Sequence, residues 1–267
     1  MKLRTSLNTI KILMNIVGIF VLFSLPCYAH VQAKVARADS LHKAGQQYLK
    51  NGKADSAIQC LRRAVELAPD SAEYHYNLAR AYTKKATVHS RFLANLEFKE
   101  TLRLDRDNTD YRFNYAMLLL DMSMKTSAIQ QLKRVIKQDP NYYLAYYHLG
   151  LLKEEDVMRY RYMIDPEEGG IIYFYEFAKE DKEKAVFYYN KVISITPDFP
   201  DVYYHLGMLY YEYNELFDMI DLLERAVKII PKDKNCHLFL GFAYYQDEQY
   251  KRAEEQFKES MKYMTPE

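Results

Sequence analysis

The chain has 267 residues, about half of them apolar and about a quarter charged, and balances 37 Lys and Arg against 36 Asp and Glu. That composition is globular, and a net charge near zero gives no long-range field toward nucleic acid or an anionic membrane surface. No nucleic-acid partner is therefore expected, and the unusual compositional feature is 26 Tyr with no Trp.

Residues 1–29 differ from the rest. Lys2, Arg4 and Lys11 give a basic start without an acid, and an apolar run interrupted by Asn15 and Gly18 extends from Ile12 to Leu25. Pro26, Cys27, Tyr28 and Ala29 follow as a small-residue site. This is the layout of a secretory signal peptide, with cleavage expected after Ala29. The run is short of the ~20 apolar residues that a spanning helix needs. An uncleaved anchor, or a lipid on Cys27, is the alternative; Pro26 directly before the Cys fits a lipobox poorly. The expected location is exported, periplasmic or cell envelope, with membrane association only through this segment if it is retained. Its removal takes Lys2, Arg4 and Lys11 away, which leaves a slightly acidic chain with two cysteines, Cys60 and Cys236. Residues 30–37 read as a linker.

From residue 38 onward the apolar residues recur at helical spacing. A small residue sits in the first helix of each unit at Gly45, Ala79, Ala116, Gly150, Gly207 and Gly241. A second position recurs in the following helix as Ala57, Ala94, Ala128, Ala185, Met219 and Ala253, and four of the six units share one separation between the pair. Gly207, inside a helix, costs roughly 1 kcal/mol against Ala, so it is expected to let the second helix approach closely. Asn51-Gly52-Lys53 reads as a turn in which Gly supplies a positive φ. Units close on Pro69, Arg106, Pro140, Pro197 and Pro231, with the widest gap between Pro140 and Pro197.

This helix-turn-helix repetition, with a period of about 34 residues, strongly resembles the tetratricopeptide (TPR) repeat family. The resemblance implies an all-α, right-handed superhelical solenoid of about six repeats, near 38–71, 72–108, 109–142, 143–199, 200–233 and 234–267. In such a solenoid Cys60 and Cys236 would lie too far apart for a disulfide. Repeat four carries an insertion at 154–177. Its Tyr-rich arms flank Asp165-Pro166-Glu167-Glu168-Gly169-Gly170, so it reads either as a projecting β-hairpin, the preferred form, or as an extended first helix followed by a turn. Arg159, Tyr160, Arg161, Tyr173 and Tyr175 would form its contact surface.

In the TPR family the first helices line a groove that holds a peptide or a segment of another protein. The equivalent positions are Gln46, Asn77, Arg80, Asn114, Tyr147, His148, Tyr204, His205 and Met208, polar first and aromatic further on. Asn77 and Asn114 resemble a ladder that holds an extended backbone, since an amide both donates and accepts. The carboxylate clamp of co-chaperone members is a poor match: its places hold His42, Gln46, Asn77, Asp110 and Asn114, without the cations. His148 and His205 occupy equivalent slots but lack further ligands of metal-site type. No HExxH, zinc-spaced Cys pair, phosphate-cradling Gly loop or G-x-S-x-G elbow occurs, so neither catalysis nor a cofactor is expected. The expected function is a non-catalytic protein–protein interaction scaffold, in cell-envelope complex assembly by analogy of fold. A self-assembling subunit, using its last helix to form a homo-oligomer, and a glycan or peptidoglycan binder, using its Tyr-rich surface, are the alternatives.

Overall fold

A computed structural model describes residues 31–163 and 171–264, with side-chain surroundings for 31–158 and 179–264. The signal-type segment 1–29 lies outside these residues. The described residues form twelve helices and no strand: α1 (31–50), α2 (Ala54–Leu67), α3 (Ala72–Lys85), α4 (Val88–Leu104), α5 (Thr109–Asp121), α6 (Lys125–Gln138), α7 (Tyr143–Met163), α8 (Ile171–Ile195), α9 (Pro200–Glu212), α10 (Leu216–Ile229), α11 (Lys234–Gln246) and α12 (Tyr250–Lys262). Along the chain they make six consecutive helical hairpins. The stretch 31–37, read as a linker, is instead the exposed first part of α1. None of the described helices is long and apolar enough to cross a membrane.

The chain divides into two compact units, Met1–Ala128 and Ile129–Glu267. The first packs Leu61, Leu78, Phe98, Leu118 and Leu119 around the small residues Ala57, Ala79, Ala94 and Ala128. The second packs Tyr189, Val192, Tyr203, Leu206 and Leu209 around Ala185 and Ala226. A further cluster, Met219, Leu223, Leu240, Tyr244 and Ala253, lies under its last hairpin.

Five of the six hairpins turn by the same backbone device. The fifteenth residue counted from Ala38, Ala72, Thr109, Pro200 and Lys234 is left-handed: Gly52 (φ 73°), Ala86 (57°), Ser123 (59°), Asn214 (57°) and Glu248 (60°). In four of these turns the next N–H reaches back five residues: Lys53 to Tyr48 at 2.9 Å, and Met124 to Leu119, Glu215 to Tyr210 and Gln249 to Tyr244 at 2.8 Å. This is the Schellman closure, which satisfies an orphan helix carbonyl. Repeat four has no such stop. Its fifteenth residue, Val157, is helical and buried. α7 therefore runs on to Met163 and α8 begins at Ile171. The expected β-hairpin is thus corrected, because both arms are helical, as the extended-helix alternative requires. The turn at 164–170 lies outside the described residues.

The close approach of paired helices is set by small residues. A Cβ on Gly45 would come within 2.5 Å of Leu61, on Gly150 within 2.4 Å of Tyr189, and on Gly241 within 2.6 Å of Phe257. Gly207 departs from the expectation made for it, since a Cβ there meets only Leu223, at 4.0 Å. Buried Met219 fills the slot held by Ala in the other five hairpins, and we attribute the extra room beside Gly207 to it.

A buried side chain at the fourth position of a hairpin also seals the preceding loop. His75 Nε2 donates to the Pro69 carbonyl at 2.9 Å, Arg112 to Arg106 at 2.5 Å, Tyr203 to Pro197 at 2.6 Å and His237 Nε2 to Pro231 at 3.0 Å. Each acceptor lies six residues back, and each donor is buried. Both histidines bridge onward, His75 Nδ1 to Glu97 at 2.6 Å and His237 Nδ1 to Gln256 at 2.8 Å. Between a carbonyl and a carboxylate, both His75 nitrogens donate, so this imidazole is protonated. Burial alone would push its pKa down. The Glu97 bond, the Pro69 carbonyl and the nearby acidic charges outweigh burial and hold it above the usual 6.5.

Both devices can be tested by substitution. Gly207→Ala should raise the unfolding free energy by about 0.5–1 kcal/mol, while Gly150→Ala should lower it by about 1–3 kcal/mol through overlap with Tyr189, both read by urea denaturation. His75 favours the folded state when protonated. Its contribution is complete below the unfolded pKa and is lost as pH rises through the elevated folded one. The stability gap between the natural chain and His75→Gln should be widest below the ordinary histidine value of about 6.5 and narrow as pH rises through the elevated folded one; a gap that widens with pH would refute the charged assignment.

Candidate functional site

In the first unit, α1, α3 and α5 bring Gln46, Asn77, Arg80 and Asn114 together around one open cleft of about 640 Å³. Four positions expected to share a surface do so because each lies on the same stripe of a first helix, at helical spacing. The floor is apolar, with Leu49, Phe98 and Leu118, and Met117 stands beside it. Lys50, Thr83 and Lys84 complete the lining and were not singled out in the sequence. A signal was available: Lys50 and Lys84 each fall four residues after a chosen position, one turn along the same face.

The two asparagines differ in what they can offer. Asn77 is 2% exposed. Its Nδ2 donates to His42 Nε2 at 2.9 Å and to the Glu73 carbonyl at 3.0 Å, and its Oδ1 accepts from Arg80 at 3.3 Å. It is a link between α1 and α3 rather than a rung open to a ligand. His42 accepts at Nε2, so its ring is neutral there; burial lowers its pKa against the opposing pull of Glu73 and Asp39. Asn114 is half-buried and donates once, to the Asp110 carbonyl at 2.8 Å. Its Oδ1 and second N–H have no partner among the described residues. Arg80 is exposed, held by Asn77 and by the Tyr76 ring, whose centroid lies 5.5 Å away.

The second unit places Tyr147, His148, Tyr204 and His205 in one aromatic series. Tyr147 stands 5.7 Å from both His148 and His205, and Tyr204 stands 5.1 Å from His205 and from Phe239. Beneath them Glu154 accepts from Tyr189 at 2.5 Å and from His205 Nδ1 at 2.9 Å. Burial, then the charges of Asp201 and Glu154, push Tyr147 up to about 12. Burial lowers the His148 pKa. Tyr204, with Asp201, Asp233 and Phe239, lines a separate cleft of about 380 Å³. Met208 is half-buried and lines neither cleft. Cys236 borders the smaller cleft, and burial pushes its thiol up, which keeps it protonated and a poor nucleophile. Among the described residues no group of three His, Cys, Asp or Glu is placed to hold a metal ion. The insertion residues Arg159, Tyr160, Arg161, Tyr173 and Tyr175 fall on α7 and α8, but their side chains lie outside those described.

Repeated helical hairpins bearing clefts on their first helices define a repeat scaffold for binding. Family models agree: the one described as TPR repeat matches residues 45–85 and 176–213, and the one described as tetratricopeptide repeat matches 110–142. The chain is a tetratricopeptide-repeat protein. Curated relatives include a UDP-N-acetylglucosamine–peptide N-acetylglucosaminyltransferase of Giardia intestinalis, 25% identical over 65% of this chain, and the TPR repeat-containing protein YpiA of Bacillus subtilis, 21% identical over 80%. The matches span about a tenth and about half of those relatives' own lengths. Among solved structures, Pseudomonas aeruginosa pilF is similar at TM-score 0.60 and 20% identity, covering 84% of this chain and 90% of that one. PilW, described as a widely conserved type IV pilus biogenesis factor, is similar at TM-score 0.56 and 13% identity, covering 82% and 90%. YrrB, described as a TPR protein with an unusual peptide-binding site, is similar at TM-score 0.50 and 17% identity, covering 72% and 85%. At these identities the structural likeness is one of fold.

The two asparagines are separable by experiment. Asn77→Leu should lower the unfolding free energy by about 1–3 kcal/mol, because it strands buried His42 without its donor. Asn114→Ala should change it by less than about 0.5 kcal/mol, both read by urea denaturation. Equal losses would put Asn77 and Asn114 in one role.

Proposed function

We propose that the chain is a non-catalytic scaffold that holds an extended segment of a partner protein in the cleft formed by α1, α3 and α5. The observation that carries this reading is the cleft itself, about 640 Å³, with an apolar floor under a rim of amide and cationic side chains. Apolar side chains of a segment would seat on Leu49 and Met117, and the open amide of Asn114 would meet its backbone. The peptide-binding site described for YrrB, on the same fold, supports it. The sequence carries no catalytic or cofactor motif of the kinds considered above, which favours binding over chemistry.

The setting we propose is outside the cytoplasm, in assembly of a cell-envelope complex. The basic start and apolar run of residues 1–29 support export, and PilW, described as a pilus biogenesis factor, lends an analogy of fold. A second reading, self-association through the last hairpin, is favoured by Tyr245, Tyr250 and Met261, each 59% exposed on α11 and α12.

Site-specific photocrosslinking in intact cells decides between them. A photoreactive residue at Gln46 or Met117 should capture a distinct protein, and one at Met261 should not. Adducts only between copies of this chain, formed from Met261 and not from Gln46, would replace the first reading with the second.

A further inference from the structure

The rim of the first unit's cleft is charged with one sign. Lys50 at the end of α1, and Arg80 and Lys84 on α3, line it, and no Asp or Glu does. None of the three cations meets a carboxylate within ion-pair distance among the described residues. Other cations of this unit do pair: Lys85 lies 2.6 Å from Asp55, Arg91 2.5 Å from Asp121, and Arg103 2.6 Å from Glu100. A lysine in the last turn of a helix complements the helix dipole, which accounts for Lys50 and Lys84 as residues of their helices. It does not account for Arg80, in the middle of α3, whose guanidinium is held by Asn77 and Tyr76.

We infer that this cleft selects an acidic segment, one that alternates Asp or Glu with apolar residues. The inference rests on the reading of the cleft as a partner-binding site and names the chemistry of that partner. The carboxylates would meet Lys50, Arg80 and Lys84, while the apolar side chains between them would seat on Leu49 and Met117. Charge complementarity of this kind sets specificity and encounter rate. The cations differ from those of a clamp for a terminal carboxylate, whose places here hold His42 and Asp110. Side-chain carboxylates within a segment are therefore the expected ligand groups. A nucleic acid shares the negative charge but suits the cleft less well. Phe98, the aromatic residue of the floor, is 1% exposed and presents no ring face on which a base could stack.

The test uses the full chain and a fluorescein-labelled ten-residue peptide alternating Glu and Leu, followed by anisotropy. Versions with Gln or Lys in place of Glu, and a ten-nucleotide oligothymidine, serve as comparisons. The Glu peptide should bind at least about tenfold more tightly than the Gln peptide, with the advantage shrinking as salt rises. Lys50→Glu combined with Lys84→Glu should invert the preference toward the Lys peptide, a gain that an unfolded variant could not show. Equal binding of the Glu and Gln peptides would overturn the inference, as would oligothymidine binding as tightly as the Glu peptide. A partner crosslinked at Gln46 without any preference for Glu would remove the charge selectivity and leave the cleft reading intact. A Glu preference without a crosslinked partner would do the reverse.

Discussion

The structure depends on how each loop between hairpins is sealed. Two helices meeting end to end leave carbonyl groups that no intrahelical bond can satisfy, and burying such a group unpaired is costly. At four of the five loops the chain solves this with a buried donor on the next helix, six residues on. The donor is chemically free to vary: a histidine, an arginine, a tyrosine and a second histidine do the same work at His75, Arg112, Tyr203 and His237. What is constrained is the acceptor's position and the reach of the side chain. The two histidines go further, because their second nitrogen ties the loop to the partner helix of the hairpin. Loop, first helix and second helix are then fixed together, and the stripes that line the clefts inherit that order.

Most of the fold is legible in the sequence because its determinants are local and periodic. The small residues and their regular spacing locate all six hairpins, and Gly52 announces its turn. The other left-handed positions are harder to read: Asn214 is at home in that region, but Ala86, Ser123 and Glu248 carry side chains that ordinarily avoid it. Register alone, counted from the start of each hairpin, reveals them. The insertion misleads for a related reason. Its Tyr-rich arms have strand-like composition, but local propensity yields when a helix already in place meets no residue that stops it. Gly207 misleads because the neighbouring repeats suggest a close partner for it, whereas the nearest side chain, Leu223, stands 4.0 Å from where its Cβ would be.

The candidate site is legible as a surface and not as a set of roles. Gln46, Asn77, Arg80 and Asn114 do converge, since helical phase alone decides which residues share a stripe. Helical phase cannot say which of them turn inward. Asn77 and Asn114 occupy the same slot in successive hairpins, yet one has His42 beside it and the other does not. The Glu154 carboxylate, joined to Tyr189 and His205 from distant parts of the sequence, is beyond any local pattern.

The same sealing device also marks a seam. In the fourth hairpin the corresponding residue is Tyr146, whose hydroxyl makes no bond to the Pro140 carbonyl six residues earlier; an open recess of about 650 Å³ lies there instead, bordered by Pro140, Tyr146 and Lys191. With four loops sealed from within and this one not, the Pro140 carbonyl faces a recess wide enough for water, so solvent takes the part that a buried side chain plays at the other loops.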